Sequence, residues 1–369
     1  MLTQPRPVPA LWLALCTLAC LAGCGTAPVP TATPHPPSVP AVSPAPLLSP
    51  APLLSPSAPS LDDDLTLAFA GDVHFTDRTA KLLSDPAYAF GPIVSLLSDA
   101  DLTMVNFESA VTSRGTEQPK EFHFRAATSS FDAIRAAGID VVSFANNHVL
   151  DYGQVGLADT LAAAQAAKFP YVGIGTNADA AWKPWTTTIK GRRIAIIGVS
   201  QIDELASNWV ATATRPGEAN SIDLPRILAA VKAARQQADV VIVFMHWGTE
   251  GNPCPNFAQR SLAPKLAAAG ADIIIGAHAH TLQGNGWLGR TFVAYGMGNF
   301  LWWLKSYSTE TGVLKLTLHR DRPLTAQFYP AIVSDTGQPV PATGADVTRI
   351  SNRYASLRTC AGLASAPTA

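Results

Sequence analysis

Apolar runs recur along the chain at spacings that suit strands, and each ends on a polar residue able to hold a metal. Residues 65–71 lead into Asp72-Val73-His74, and 104–107 into Glu108. Residues 141–145 lead into Asn146-Asn147-His148, 240–245 into His246, and 273–277 into His278-Ala279-His280. Runs without polar alternation suit strands buried on both faces. Between them lie helical patterns at 130–138, 156–167 and 223–237. The alternation predicts an α/β fold with internal strands. Beyond Asn299 the pattern changes: residues 311–321 and 323–333 read as antiparallel strands closing a sheet, and a helix is predicted near Asp346 to Leu357. About 300 residues take part, ample for one large core.

The N-terminal segment is of another kind. One positive charge, Arg6, precedes an apolar stretch over residues 10–23 that is too short to span a membrane as a stable helix. This predicts a signal segment over 1–23 that takes the chain out of the cytoplasm; an ordinary signal peptide or short anchor fits the same pattern. Residues 24–62 are rich in Pro, Ala, Ser and Thr and contain a tandem APLLSP hexapeptide. Such a tract cannot bury a core and is expected to be an extended spacer, reaching on the order of 100 Å. The expected organisation is then a domain over 63–332 and a C-terminal extension, with a short helix, over 333–369.

Ligands in open α/β sheets bind beyond the carboxyl ends of the strands. Strand ends can therefore gather residues scattered over roughly 200 positions into one pocket. His, Asp, Glu and Asn without thiolate form a borderline-to-hard donor set, suited to Mn, Fe or Zn. Seven donors (Asp72, His74, Glu108, Asn147, His246, His278 and His280) exceed what one tetrahedral ion takes. They fit two divalent ions sharing a bridging carboxylate, an arrangement that activates water and clamps a displacement. His148 is then left over, placed to protonate a leaving group. Each residue also has an ordinary explanation: Asp72 as a cap or turn residue, Asn147 as a turn asparagine, His246 as a core histidine, Glu108 as a solvated strand end. The recurrence after five strand-like runs is what favours a joint site. His35, His123 and His319 are assigned no function, and Arg125 is a candidate for holding an anionic group.

The ordered motifs AGDVHF, NFE, ANNHVLDYG, HWGTE, GAHAHTLQG and YGMGNF resemble the CapA family of poly-γ-glutamate capsule-synthesis proteins. That family looks like a branch of the calcineurin-like metallophosphoesterases. The similarity runs from about Leu65 to Ile332. It implies a four-layer αββα sandwich, two sheets face to face with helices outside. It also implies Asp72, His74 and His280 at a first metal, Asn147, His246 and His278 at a second, Glu108 as the bridge and His148 as general acid. Asn106-Phe107-Glu108 replaces the usual Gly-Asp-X-X-Asp. Asn146 replaces the usual Gly, which puts a side chain where a substrate phosphate would approach. The residues 21–24 resemble a bacterial lipobox, which implies lipidation of Cys24.

The implied role is making, exporting or trimming an anionic surface polymer on the outer face of the cell membrane, by hydrolysis of a phosphoester or amide. The expected partners are that polymer or a phosphoester substrate, the membrane through the N-terminal lipid, and capsule synthase or export proteins. A non-catalytic accessory subunit and a secreted phosphoesterase unrelated to capsule are the alternatives. Net charge is −1, with 26 basic and 27 acidic residues, which gives no electrostatic footprint for nucleic acid. After processing, Cys254 and Cys360 remain; outside the cytoplasm they can pair, or stay as two thiols.

Overall fold

The structure is a computed structural model that describes residues 64–303 and 307–368. The signal segment, the proline-rich spacer and Cys24 lie outside the described residues. The chain builds one sheet, then another, and then returns to the first. Strands β1 (Leu65–Val73), β2 (Leu102–Phe107), β3 (Val141–Ser143) and β4 (Tyr171–Val172) lie parallel in that order. The second sheet follows with β5 (Trp185–Ile189), β6 (Arg192–Ser200), β7 (Val240–Trp247), β8 (Ile273–His278), β9 (Asn285–Leu288) and β10 (Thr291–Ala294), in the order β9-β10-β8-β7-β6-β5. Strand β11 (Asn299–Leu301) then pairs with the end of β1. The antiparallel strands β12 (Glu310–Leu318), β13 (Thr325–Val333) and β14 (Pro339–Pro341) extend the first sheet beyond β1.

Side-chain alternation shows the layering. On β7, Val240, Ile242 and Phe244 pack between the sheets, whereas Val241, Val243 and Met245 face the other way. There they meet helices α4 (Leu224–Gln237) and α5 (Phe257–Ala269) through Ile227, Val231, Leu262 and Leu266. On β1, Leu65, Leu67 and Phe69 share the inter-sheet core, while Ala68 and Ala70 face α1 (Val94–Ser98), α2 (Ser130–Ala136) and α3 (Gly153–Ala166). Strands buried on both faces need apolar residues at every position, which is why these runs show no polar alternation. The outcome is the αββα sandwich that the sequence motifs imply.

The boundary expected at residue 332 falls inside β13, so 333–369 is not an appendage. The last helix, α6 (Ala345–Ala361), is longer than predicted and sends Ile350 and Tyr354 into the inter-sheet core. Arg349 and Arg353 both bond the buried Glu310 of β12. Cys360 at its end is joined to Cys254 by a disulfide, with Cα atoms 5.6 Å apart. The sequence pattern concealed this because α6 covers an edge of the sandwich and needs only two large apolar residues to do so.

Candidate metal centre

Parity along the strands determines which side chains can meet. On β2, Met104 faces the inter-sheet core and Val105 and Phe107 face the helices. Asn106 and, just past the strand, Glu108 therefore continue the inter-sheet face. His246 follows Phe244 on the same face of β7. Strand β1 would send Asp72 the wrong way, since Phe69 already faces inward and successive residues alternate. The register of β1 against β2 shifts between Phe69 and Asp72. This bulge inverts the parity: Val73 joins the helix-side core with Ala68 and Ala70, and Asp72 turns inward. Gly71 makes room for it, because a Cβ there would lie 1.8 Å from the Gly298 carbonyl oxygen. The Asp72 amide donates to that same oxygen at 3.0 Å.

The Asp72, Glu108, His246, His278 and His280 side chains converge beyond the strand ends, all of them buried. Asp72, Glu108 and His246 offer ligand atoms within 4.8 Å of one another, and so do Glu108, His278 and His280. Glu108 belongs to both groups. Its Oε1 has no hydrogen-bond partner and lies 3.5 Å from His246 Nε2 and 3.7 Å from His148 Nε2. Neighbours orient the set. Asn106 Nδ2 donates to Asp72 Oδ1 at 2.8 Å, His278 Nδ1 lies 3.1 Å from His246 Nε2, and Asn147 Oδ1 lies 2.8 Å from His246 Nε2. Asn299 Oδ1 bonds His280 Nδ1 at 2.8 Å. His278 and His280 have φ of 85° and 53°, an uncommon conformation for non-glycine residues that concentrates at functional sites.

The donor chemistry fits a divalent cation. Burial drives the Glu108 carboxyl well above its ordinary range, and the charges of Asp72 and Glu250 add to this. Burial lowers His246 and His278 well below theirs, so both present neutral imidazoles. Unprotonated imidazoles beside a carboxyl whose buried oxygen has no donor are what a metal site requires.

His148 occupies the adjacent wall. Its Nδ1 lies 2.7 Å from Asp151 Oδ2 and its ring stacks on Phe124 at 3.9 Å. Asp151 Oδ1 forms a 3.0 Å ion pair with the buried Lys120, which also meets Glu204 at 3.2 Å and bonds the Asn147 carbonyl oxygen. Burial lowers His148 and raises the Asp151 carboxyl to about 7. Of the two groups it is therefore the Asp151 carboxyl that changes charge near neutrality.

Three expected residues are placed otherwise. His74 is buried, but the backbone nitrogens of Thr76 and Trp303 lie against its ring, 3.1 Å from Nδ1 and 3.4 Å from Nε2, and it belongs to neither ligand group. It stacks on the Phe124 ring at 4.5 Å. Asn146 spends its amide internally: Nδ2 donates to Asn106 Oδ1 and the Phe107 carbonyl, and Oδ1 accepts from the His148 amide. That arrangement ties two strand ends together and commits both amide hydrogens within the protein. Arg125 lies with its guanidinium carbon 3.4 Å from the Tyr152 ring centroid, beside Glu117 and Glu121 in a separate recess.

Lys120 and Asp151 are not singled out by the sequence, and Asn106 and Asn299 stand in its motifs without a role that the sequence assigns. Alternation from Glu108 back to Asn106 was a usable signal, and Asp151 follows His148 by three residues, a spacing that lets side chains meet across a turn. Lys120 sits in a polar loop with no pattern around it.

Nearby, Glu218 is completely buried and its carboxyl is pushed up to about 8 by that burial, against a 2.9 Å hydrogen bond from Asn220. An unfolded glutamate loses its proton near pH 4.5. Between these values the folded chain holds one proton more, so this group's contribution is full below 4.5 and is lost as pH rises to about 8. Glu218→Gln is expected to stabilise the chain by on the order of 3 kcal/mol at pH 8 and hardly at all at pH 4.5. Thermal unfolding at the two pH values checks this, and an equal shift at both contradicts it.

An αββα sandwich with a buried carboxylate–histidine centre at its strand ends defines the class of protein. Within that class, the chain belongs to the family described as bacterial capsule synthesis protein PGA_cap, whose sequence model matches residues 66–302. It is 28% identical over 296 residues to the capsule biosynthesis protein CapA of Bacillus anthracis, covering 77% of this chain and 71% of that one. It is 30% identical over 245 residues to the PGA biosynthesis protein CapA of Bacillus subtilis, covering 65% of this chain and 64% of that one. The match thus spans slightly less than two thirds of the B. subtilis protein. Among solved structures, a putative 5'-nucleotidase from Staphylococcus aureus superposes with a TM-score of 0.45 at 16% identity, over 80% of this chain and 58% of that one.

Proposed function

We propose that this chain is a lipid-anchored, extracytoplasmic metal-dependent hydrolase acting in the synthesis, export or processing of poly-γ-glutamate. The observation that carries the reading is Glu108: one buried, unpartnered oxygen common to two ligand groups and facing a histidine held by a carboxylate. Asp72, Glu108 and His246 would hold one ion, and Glu108, His278 and His280 the other, with Asn147 beside His246. Divalent ions there would supply Lewis acidity and lower the pKa of water at neutral pH.

The chain's own groups supply the rest. His148 is the proton donor to a leaving oxygen or nitrogen, since Asp151 fixes Nδ1 and leaves Nε2 facing the centre. Lys120 holds Asp151 in place. Phe124 keeps the imidazole plane parallel to its own and excludes water from that face. Asn299 orients His280 as an outer partner, a role that tunes metal affinity. The relatives' names support the capsule assignment, and the lipobox-like Cys24 supports the anchor.

The test loads the purified chain with Mn or Zn and assays a phosphodiester and a γ-glutamyl amide, with His278→Ala in parallel. The expected result is metal-dependent turnover of one substrate class, lost in the variant. Equal turnover by both proteins overturns the reading. Bound metal without turnover supports instead an accessory subunit that binds the polymer or its synthase.

A further inference from the structure

The opposite end of the second sheet carries an opening of about 630 Å³. Its floor is where β6, β7 and β8 begin, at Arg192, Val240 and Asp272, and its walls are the β12–β13 turn and Arg290 of the β9–β10 turn. Strand β7 runs from this floor to His246, so roughly 20 Å of strand separates the opening from the metal centre.

Four arginines line it: Arg192, Arg290, Arg320 and Arg322. The carboxylates beside them are largely committed. Asp239 pairs with Arg193 at 2.7 Å and Asp272 with Arg235 at 2.6 Å, both partners lying outside the lining. Asp64 pairs with His319 at 2.8 Å. Asp321, in the same turn, is exposed. Among the described residues no side-chain hydrogen bond or ion pair satisfies any of the four guanidinium groups. Arg192 Nη2 is moreover buried without a partner. Burial, together with the nearby charge of Arg320, makes Arg192's proton easier to lose than usual, against a smaller opposing effect of the Asp64 and Asp239 charges. A folded chain rarely leaves a buried donor nitrogen without a hydrogen-bond partner, and an acceptor from outside would remove that cost.

Four planar forks contributed by three separate segments exceed the needs of one small anion. They match a ligand that presents several carboxylates along a chain, each taken by two parallel N–H donors. We propose that this opening is a second binding site for an anionic polymer, one that holds successive carboxylates of a poly-glutamate chain away from the metal centre. The proposal rests on the capsule reading above for the identity of the polymer. It does not depend on hydrolysis.

The experiment measures binding of fluorescently labelled poly-γ-glutamate to the purified protein by anisotropy across a salt series. Comparison is with a double variant, Arg320→Glu with Arg322→Glu. Both residues are exposed in a turn, so the fold is expected to survive, and an unchanged metal content serves as the check. The parent should bind with an affinity that falls as salt rises, and the variant should bind about tenfold or more weakly. Arg192→Met tests the buried fork separately and should also weaken binding. Variants that bind like the parent overturn the site, as does a parent that does not bind at all. Equal or tighter binding of a single-stranded oligonucleotide overturns the polycarboxylate assignment. Loss of binding in the variants supports the site whether or not the metal-loaded chain hydrolyses anything, so the two readings fail independently.

Discussion

Glu108→Gln is expected to abolish metal-dependent stabilisation while leaving the metal-free chain at least as stable as its parent. The two halves have opposite signs for one reason. Without a cation the buried carboxyl is costly to ionise, and burial together with the charge of Asp72 holds it well above its ordinary range. A neutral amide removes that cost and keeps a similar shape. With a cation the same oxygen is common to both ligand groups, so its replacement weakens both at once. Altering an outer partner of a metal ligand typically costs about 10–100-fold in affinity, and losing a shared ligand should exceed that. A parent saturated with Mn at a hundred times its dissociation constant gains about 2.7 kcal/mol. The variant under the same conditions should gain almost nothing. Thermal unfolding with Mn and with chelator, together with metal analysis of the dialysed proteins, checks both halves. A variant that retains the parent's metal content and its metal-induced shift would remove Glu108 from the site.

The second large effect concerns Asp151. Asp151→Asn should lower kcat by roughly 10²–10⁴, the span associated with a positioned proton donor, with KM and metal content little changed. Asp151 touches His148 Nδ1 and not the ligand cluster, and its other oxygen holds Lys120. An amide at this position can still accept one hydrogen bond, but it cannot offset the charge of a protonated imidazole. It also leaves the Lys120 ammonium with Glu204 as its carboxylate partner. Because the Asp151 carboxyl is raised to about 7, the parent's rate should change across neutrality, and that inflection should vanish in the variant. Turnover that persists at the parental rate in the metal-loaded variant would show that His148 needs no such support. A parallel loss of metal would show that Asp151 supports the ligands and not the acid.

Much of this site could be read from the sequence, for a physical reason. Strands buried on both faces must be apolar throughout, so the first polar residue after each run marks a strand end. Strand ends in such folds point to one place. The residues so marked include Asp72, Glu108, Asn147, His246, His278 and His280, and the structure brings these six together. Parity was harder to read. Nothing in the residues around Phe69 announces a bulge, yet without it Asp72 would face the helices. Gly71 was visible, but a glycine before an aspartate reads equally well as a turn. His74 satisfies the spacing of a ligand, whereas its surroundings, Phe124, Trp302 and two backbone amides, come from segments far away in sequence. Lys120 illustrates the same difficulty in reverse. It lies in a loop of exposed polar residues, and only the fold reveals that its ammonium is buried beside Asp151. Contacts made by loops across long separations leave no periodic trace for a sequence to show.

The disulfide between Cys254 and Cys360 bears on the site in a way its position in the chain conceals. Cys254 ends a loop whose Glu250 lies 3.9 Å from His280 Nε2 and accepts a hydrogen bond from Tyr307 at 2.9 Å. The same loop is stitched to the His278–His280 segment through the Gly251 amide, which donates to the Ala279 carbonyl, and through Gln283, which donates to the Asn252 carbonyl. The final helix is thus joined through this disulfide to the loop that carries Glu250 beside His280. Breaking the bond between the two sulfur atoms would separate that loop from the tail and leave its hydrogen bonds to the His278–His280 side as what ties it to the centre.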